Sequence, residues 1–106
     1  MRNLMTVVTG LVLSAATASA ADLKKGLDVY VAECKDCHGA NGEPNLALAK
    51  KLKITMKDLR DPTVMAKPDA EWKKQITAGV GKMKPVKGLT GPAVDDVIAY
   101  CRTLKK

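Results

Sequence analysis

Apolar residues recur at helical spacing in four stretches of the chain, and turn-forming residues separate these stretches. In the first, over residues 22–34, positions i, i+4, i+7 and i+8 are occupied by Leu23, Leu27, Tyr30 and Val31. This spacing predicts an amphipathic helix with these side chains on its apolar face. A shorter helix is predicted over residues 46–52, after a loop over residues 39–45 that is dense in Gly, Asn and Pro.

The other two helices lie in the C-terminal half of the chain. One is predicted from Asp69, its expected N-cap, to a stop at Gly79. The last follows Pro92, and its apolar positions are Val94, Val97, Ile98, Cys101 and Leu104. Residues 54–67 and 79–88 are predicted to be mostly loop, because Gly and Pro interrupt them. No segment alternates long enough to require a strand, so the predicted fold class is all-α.

The first twenty residues have the pattern of a secretory signal peptide. They carry one charge, Arg2, then an apolar run over residues 4–13 and the small residues Ala18, Ser19 and Ala20. Cleavage there would leave residues 21–106 as one domain in the periplasm, without a stable membrane anchor. A retained anchor is the less favoured alternative, because the apolar run is short for a bilayer and lacks a stop-transfer flank.

Composition predicts that something besides side chains fills the interior. The chain has no Phe, one Trp and two Tyr, whereas ordering each residue costs roughly 1.5 kcal/mol. Two of the three cysteines are only three positions apart, which excludes a scaffold of several disulfides. A cofactor is the remaining candidate. The formal net charge of +7 suits acidic protein surfaces, nucleic acid or anionic lipid, and export argues against nucleic acid as a partner.

The motif C-x-x-C-H at residues 34–38 is the attachment sequence of c-type haem. Cys34 and Cys37 fall one helical turn apart, so both can form thioethers to one porphyrin. His38, the only histidine of the chain, is then the expected iron ligand through Nε2, with its Nδ1–H held by a backbone carbonyl. Pro44, in the following loop, is the expected source of that carbonyl.

Other uses of these thiols are less favoured. A zinc site needs two further ligands, and Cys101 is the only other Cys or His in the chain. A thioredoxin-like dithiol requires a strand beside the motif, which this helical sequence does not supply. A structural disulfide between Cys34 and Cys37 is a further alternative. The predicted export and the poor core both favour one covalently bound haem c.

The sequence resembles class I monohaem cytochromes c of the small bacterial periplasmic type. The matching stretches are residues 26–30, 34–39, 79–85 and 97–100. The resemblance implies three to four helices around one covalently bound haem. It also implies that the N- and C-terminal helices cross where Gly26, Tyr30 and Tyr100 meet.

Three methionines follow the predicted leader and are candidates for the second axial iron ligand: Met56, Met65 and Met83. Met83 is favoured, since a loop punctuated by Gly and Pro, with Lys on both sides, is a poor place for a core methionine. It also falls where the ligand of the resembled family falls. Family members often have Met-Pro, whereas here Lys84 separates the methionine from Pro85.

Ligation by His and Met closes both axial positions, which predicts a one-electron carrier and not an enzyme. The protein is expected to be a monomer. Two alternatives stay open: a haem-based sensor or gas-binding module, and an electron-transfer subunit of a larger oxidoreductase. Lys82, Lys84 and Lys87 surround the proposed ligand and are expected to attract acidic redox partners.

Three residues outside the motif are candidates for particular roles. Cys101 is expected to be a small buried residue, with an intermolecular disulfide or reactive thiol as the alternative. Trp72 is interpreted as core in preference to a hydrogen-bond donor to a haem propionate. Arg60 is a candidate partner for a propionate.

Overall fold

The computed structural model describes Gly10 and residues 21–106. Apart from Gly10, the predicted leader lies outside the described residues. The helices are α1 (Leu23–Glu33), α2 (Lys35–His38), α3 (Leu46–Leu52), α4 (Pro62–Met65), α5 (Asp69–Ala78) and α6 (Pro92–Arg102). Within the described part of the chain the only β feature is an isolated bridge between Val80 and Met83. No helix in this part has the length and apolar character needed to cross a bilayer. The all-α prediction is confirmed.

The fold is built on the contact between α1 and α6. A Cβ added at Gly26 would lie 2.1 Å from the backbone oxygen of Asp96 and 2.9 Å from Cβ of Tyr100. The helices therefore approach so closely that only glycine fits at this point. The rings of Tyr30 and Tyr100 lie 5.3 Å apart at an angle of 52°, within the range of favourable aromatic pairs. The expected meeting of Gly26, Tyr30 and Tyr100 is confirmed.

The apolar face predicted for α1 is only partly buried. Gly26 and Tyr30 are buried, but Leu23, Leu27 and Val31 are 49%, 39% and 52% exposed. The side of α1 that is buried is therefore only in part the side that the hydrophobic spacing predicted. The reason is that the close backbone approach at Gly26 decides which side of α1 turns toward α6.

The core is small and consists mainly of residues from α5 and α6. Its buried members are Tyr30, Val64, Trp72, Ile76, Val94, Val97, Ile98 and Cys101. Arg102, at the end of α6, ties this core to the segment before α5. Its guanidinium donates to the carbonyls of Met65 and Lys67 and to the carboxylate of Asp69. It also lies 4.9 Å from the ring centroid of Trp72, so α4, α5 and α6 are held together at one point.

Candidate cofactor site

One cavity of about 1040 Å³ contains all four residues that the sequence predicts to hold a cofactor: Cys34, Cys37, His38 and Met83. Pockets for organic cofactors are typically about 300–1,000 Å³ and mainly apolar. The apolar side chains in this cavity include Leu48, Leu52, Ile54, Leu59, Val64, Trp72, Ile76, Val80 and Val86. The size of the cavity and its apolar lining fit a haem bound through C-x-x-C-H, and so do the two thiols, one imidazole and one thioether of these four residues.

The two thiols lie where α1 ends and α2 begins. The backbone N–H of Cys34 still bonds to Tyr30 of α1, and the carbonyl of Cys34 accepts from Cys37 at 3.3 Å and from His38 at 2.9 Å. This single turn brings the thiols and the imidazole together locally, as the spacing predicts. Cys34 is half-buried and Cys37 exposed. Burial raises the pKa of Cys34 to about 11, with Glu33 and Cys37 adding to the rise.

His38 is half-buried, and burial lowers the pKa of its imidazole. Its Nδ1 atom is buried and has no hydrogen-bond partner among the described residues. The contact expected with the Pro44 carbonyl is therefore not formed in this structure. The loop after His38 is instead closed through Asn45, whose backbone N–H donates to Cys37 at 3.0 Å and whose side chain donates to Asp36 at 2.9 Å.

Met83 is half-buried at the end of a tight turn. The N–H of Val80 donates to the carbonyl of Met83 at 3.0 Å, and the N–H of Met83 donates back to Val80 at 2.9 Å. Gly79 precedes the turn with a φ of 80°, where a Cβ would lie 2.7 Å from the Met83 carbonyl. The N–H of Val86 then donates to Ile76 of α5 at 2.9 Å. The turn is therefore tied to α5 on its C-terminal side by a backbone bond.

The structure narrows the set of candidate methionine ligands from three to two. Met56 is half-buried in the segment between α3 and α4 and also lines the cavity. Met65, in α4, packs against the core cluster and is not among the residues that line the cavity. Unlike Met56, Met83 lies on a turn that is closed by hydrogen bonds between its own backbone and that of Val80.

The two side chains considered as propionate donors are engaged elsewhere. The indole N–H of Trp72 donates to the carbonyl of Val64 at 3.2 Å, which agrees with its interpretation as core. Arg60 donates through Nε and Nη2 to Asp58 at 2.9 and 2.7 Å. These bonds lower the pKa of Asp58 to about 2.

Lysines dominate the charged part of the cavity lining: Lys57, Lys67, Lys82, Lys84 and Lys87. Glu33 is the one acidic side chain among the lining residues. The sequence singled out the last three lysines because they flank Met83. It missed Lys57 and Lys67, which lie in segments without periodicity and reach the cavity only through the tertiary fold.

Cys101 also lines the cavity and is 4% exposed. Burial raises the pKa of its thiol to about 12, and the nearby Cys34 adds to the rise. Because the thiolate is the reactive form, the thiol is protected both sterically and chemically. The structure agrees with the interpretation of Cys101 as a small buried residue.

Cys101 is expected to resist alkylation in the folded protein. At about pH 8, iodoacetamide should modify it at least about a hundredfold more slowly than in denaturant, since both thiolate fraction and access are reduced. Mass spectrometry of the haem-loaded protein over time measures this rate. Equal rates with and without denaturant would contradict the buried position.

Comparison with known proteins agrees with this site. Residues 21–101 match the family model described as cytochrome c oxidase, cbb3-type, subunit III. A solved structure, the KustC0563 c-type cytochrome, is similar at 30% sequence identity and a TM-score of 0.64, covering 76% of this chain and 98% of its own. No curated protein matches. Because the family model spans most of the sequence, the chain belongs to the cbb3-type cytochrome c oxidase subunit III family and is a c-type cytochrome.

Proposed function

We propose that the protein is a periplasmic electron carrier that holds one haem c through thioethers from Cys34 and Cys37. His38 and Met83 would ligate its iron. The observation that carries this proposal is that all four side chains line one largely apolar cavity, although Met83 lies 45 residues after His38. When bound, the haem supplies reversible one-electron chemistry at iron.

The residues of the chain perform three tasks in this proposal. The two thiols anchor the cofactor, so that it stays with a protein whose aromatic core is small. The imidazole and the thioether would both ligate the iron and would leave no open position for a substrate. A thioether ligand would also favour ferrous iron relative to a second imidazole. The apolar walls limit water near the iron and thereby also tune its potential. These tasks support electron transfer and not substrate turnover.

Covalent attachment is tested by expressing the chain in a host with c-type maturation. Intact mass is expected to equal that of the polypeptide plus one haem, and the pyridine haemochrome spectrum to show two saturated vinyl groups. Cys34→Ser or Cys37→Ser should each shift that spectrum, because one vinyl group stays free. Cys101→Ser is the matched control and should leave it unchanged. A correctly processed, colourless product with the mass of the bare polypeptide would contradict the proposal.

The same maturation experiment tests the leader. Export and cleavage after Ala20 predict that the purified chain begins at Ala21, as read by N-terminal sequencing. A mature protein that retains the first residues would show that the apolar run serves as an anchor.

We further propose that redox partners are acidic at their contact surface. The support is the excess of lysines in the cavity lining, five against one glutamate. Such a field raises encounter rates with anions and is screened by salt. It acts through a small and short-lived contact.

Oxidation of the reduced protein by anionic ferricyanide is therefore expected to slow as ionic strength rises. A double change Lys82→Gln and Lys84→Gln should slow it several-fold at low salt. The matched control is Lys24→Gln with Lys25→Gln, two exposed lysines on α1 that do not line the cavity. Stopped-flow absorbance measures the rates. Equal slowing by both pairs would show that net charge alone matters.

A second candidate function is that of an electron-transfer subunit within an oxidase. The family description, which names an oxidase subunit, favours it. Affinity purification of the tagged chain from gently solubilised membranes distinguishes the two. Stoichiometric recovery of an oxidase favours the subunit, whereas recovery as a free monomer in the periplasmic fraction favours the carrier.

A further inference from the structure

The hydroxyl of Tyr30 is a buried donor at the backbone of the proposed iron ligand. Tyr30 is 1% exposed, and its hydroxyl lies 3.0 Å from the carbonyl oxygen of His38 and 2.7 Å from that of Gly39. A phenol is protonated at neutral pH even at its ordinary pKa of about 10, so this hydroxyl donates. A phenylalanine would fill the same space without this bond.

The orientation of a metal-bound histidine ring depends on the group that its second ring nitrogen meets and on the backbone that carries the ring. Nδ1 of His38 is buried. The backbone on both sides of His38 is therefore part of what sets the orientation of its imidazole.

That backbone is held on both sides of His38. On its N-terminal side, the N–H of His38 donates to Cys34 at 2.9 Å. On its C-terminal side, the two carbonyls face the Tyr30 hydroxyl, just where Gly39 turns with a φ of 65°. Since the ring of Tyr30 also packs against Tyr100 of α6, its position is set by the contact of the terminal helices.

We propose that Tyr30 is a positioning residue whose hydroxyl fixes the orientation of the His38 imidazole toward the bound iron. The inference rests on the proposed function, because it takes His38 as the iron ligand. The sequence analysis identified Tyr30 only as one of the apolar positions of α1, and the proposal gives it a role in orienting the iron ligand. The packing of α1 on α6 is thereby linked to the electronic state of the cofactor site.

The first test compares Tyr30→Phe with Tyr100→Phe in the haem-loaded protein. Tyr30→Phe should displace the haem-methyl resonances of the ferric state in proton NMR spectra, which depend on imidazole orientation, and should shift the midpoint potential. Tyr100→Phe removes a hydroxyl from the neighbouring ring and should leave both close to wild type. Equal spectra and potentials in the two variants would overturn the proposal.

A second test does not require the loss of the hydroxyl. Tyr30 and Tyr100 are the two tyrosines of the chain, so 3-fluorotyrosine incorporated into Tyr100→Phe labels Tyr30 alone. Fluorine strengthens the phenol as a donor and changes the ring volume little. The labelled protein should differ from unlabelled Tyr100→Phe in haem-methyl shifts and midpoint potential, an effect that packing alone does not produce. Identical values would overturn the proposal even if Tyr30→Phe fails to fold.

The two proposals fail in different ways. Loss of the proposed function appears in the wild type, as absence of covalent haem or of a histidine ligand in its spectra. Failure of the Tyr30 inference appears in a fully haem-loaded protein, as spectra that do not respond to the removal or fluorination of this one hydroxyl.

Discussion

Met83→Ala is expected to abolish the weak thioether-to-iron band near the red end of the ferric spectrum. It should also lower the midpoint potential, by on the order of 0.1 V within the roughly 0.8 V that axial ligands span. The physical reason is the loss of a soft ligand that favours ferrous iron. Visible spectroscopy during a redox titration measures both effects.

The turn that carries Met83 should survive this substitution. Its bonds to Val80 use the backbone N–H and carbonyl of Met83, and the bond between Val86 and Ile76 also joins backbone atoms. Alanine retains all of these groups. A changed spectrum would therefore report the lost thioether and not a lost turn.

Met56→Ala is the matched control, because Met56 also lines the cavity and is also half-buried. The band should persist in this variant. If the band disappeared in Met56→Ala and persisted in Met83→Ala, Met56 and not Met83 would be the iron ligand. Rapid binding of carbon monoxide to the reduced wild type would instead favour a gas-binding module whose methionine is displaced.

Gly26→Ala is expected to have the largest effect on stability. The added Cβ would lie 2.1 Å from the carbonyl oxygen and 2.7 Å from the carbonyl carbon of Asp96, both backbone atoms of α6. Overpacking of this kind typically costs about 1–3 kcal/mol, more than the roughly 1 kcal/mol by which alanine is the better helix former. Since about 1 kcal/mol shifts the midpoint of a domain this small by roughly 4–8 °C, thermal unfolding followed by circular dichroism measures it.

Lys25→Ala introduces the same residue one position earlier on α1, at an exposed site. It should change the free energy of unfolding by less than about 0.5 kcal/mol. If Gly26→Ala were as stable as this control, the close approach of α1 and α6 would be wrong.

The local parts of this protein were predictable from its sequence. Hydrophobic spacing and Gly and Pro punctuation located the four longer helices, because helix formation depends on neighbours within a turn or two. The C-x-x-C-H motif is equally local, since one turn after α1 brings Cys34, Cys37 and His38 together. The small number of aromatic residues indicated that a cofactor fills part of the interior.

Contacts between distant segments were decided only by the tertiary structure. The close approach of α1 and α6 at Gly26 decided which face of α1 is buried. As a result Leu23, Leu27 and Val31 are exposed, although their spacing predicted that they would be buried. Packing placed Met65 against the core cluster and Met56 and Met83 at the cavity. Hydrogen bonds likewise engaged Arg60 with Asp58 and the indole N–H of Trp72 with Val64, and so took both away from the role of propionate donor. These contacts depend on how the surfaces of distant segments fit together, and the order of residues along the chain does not show that fit. The sequence by itself determined the four longer helices and the local haem-attachment motif, and the packing of the helices decided which further side chains reach the cavity.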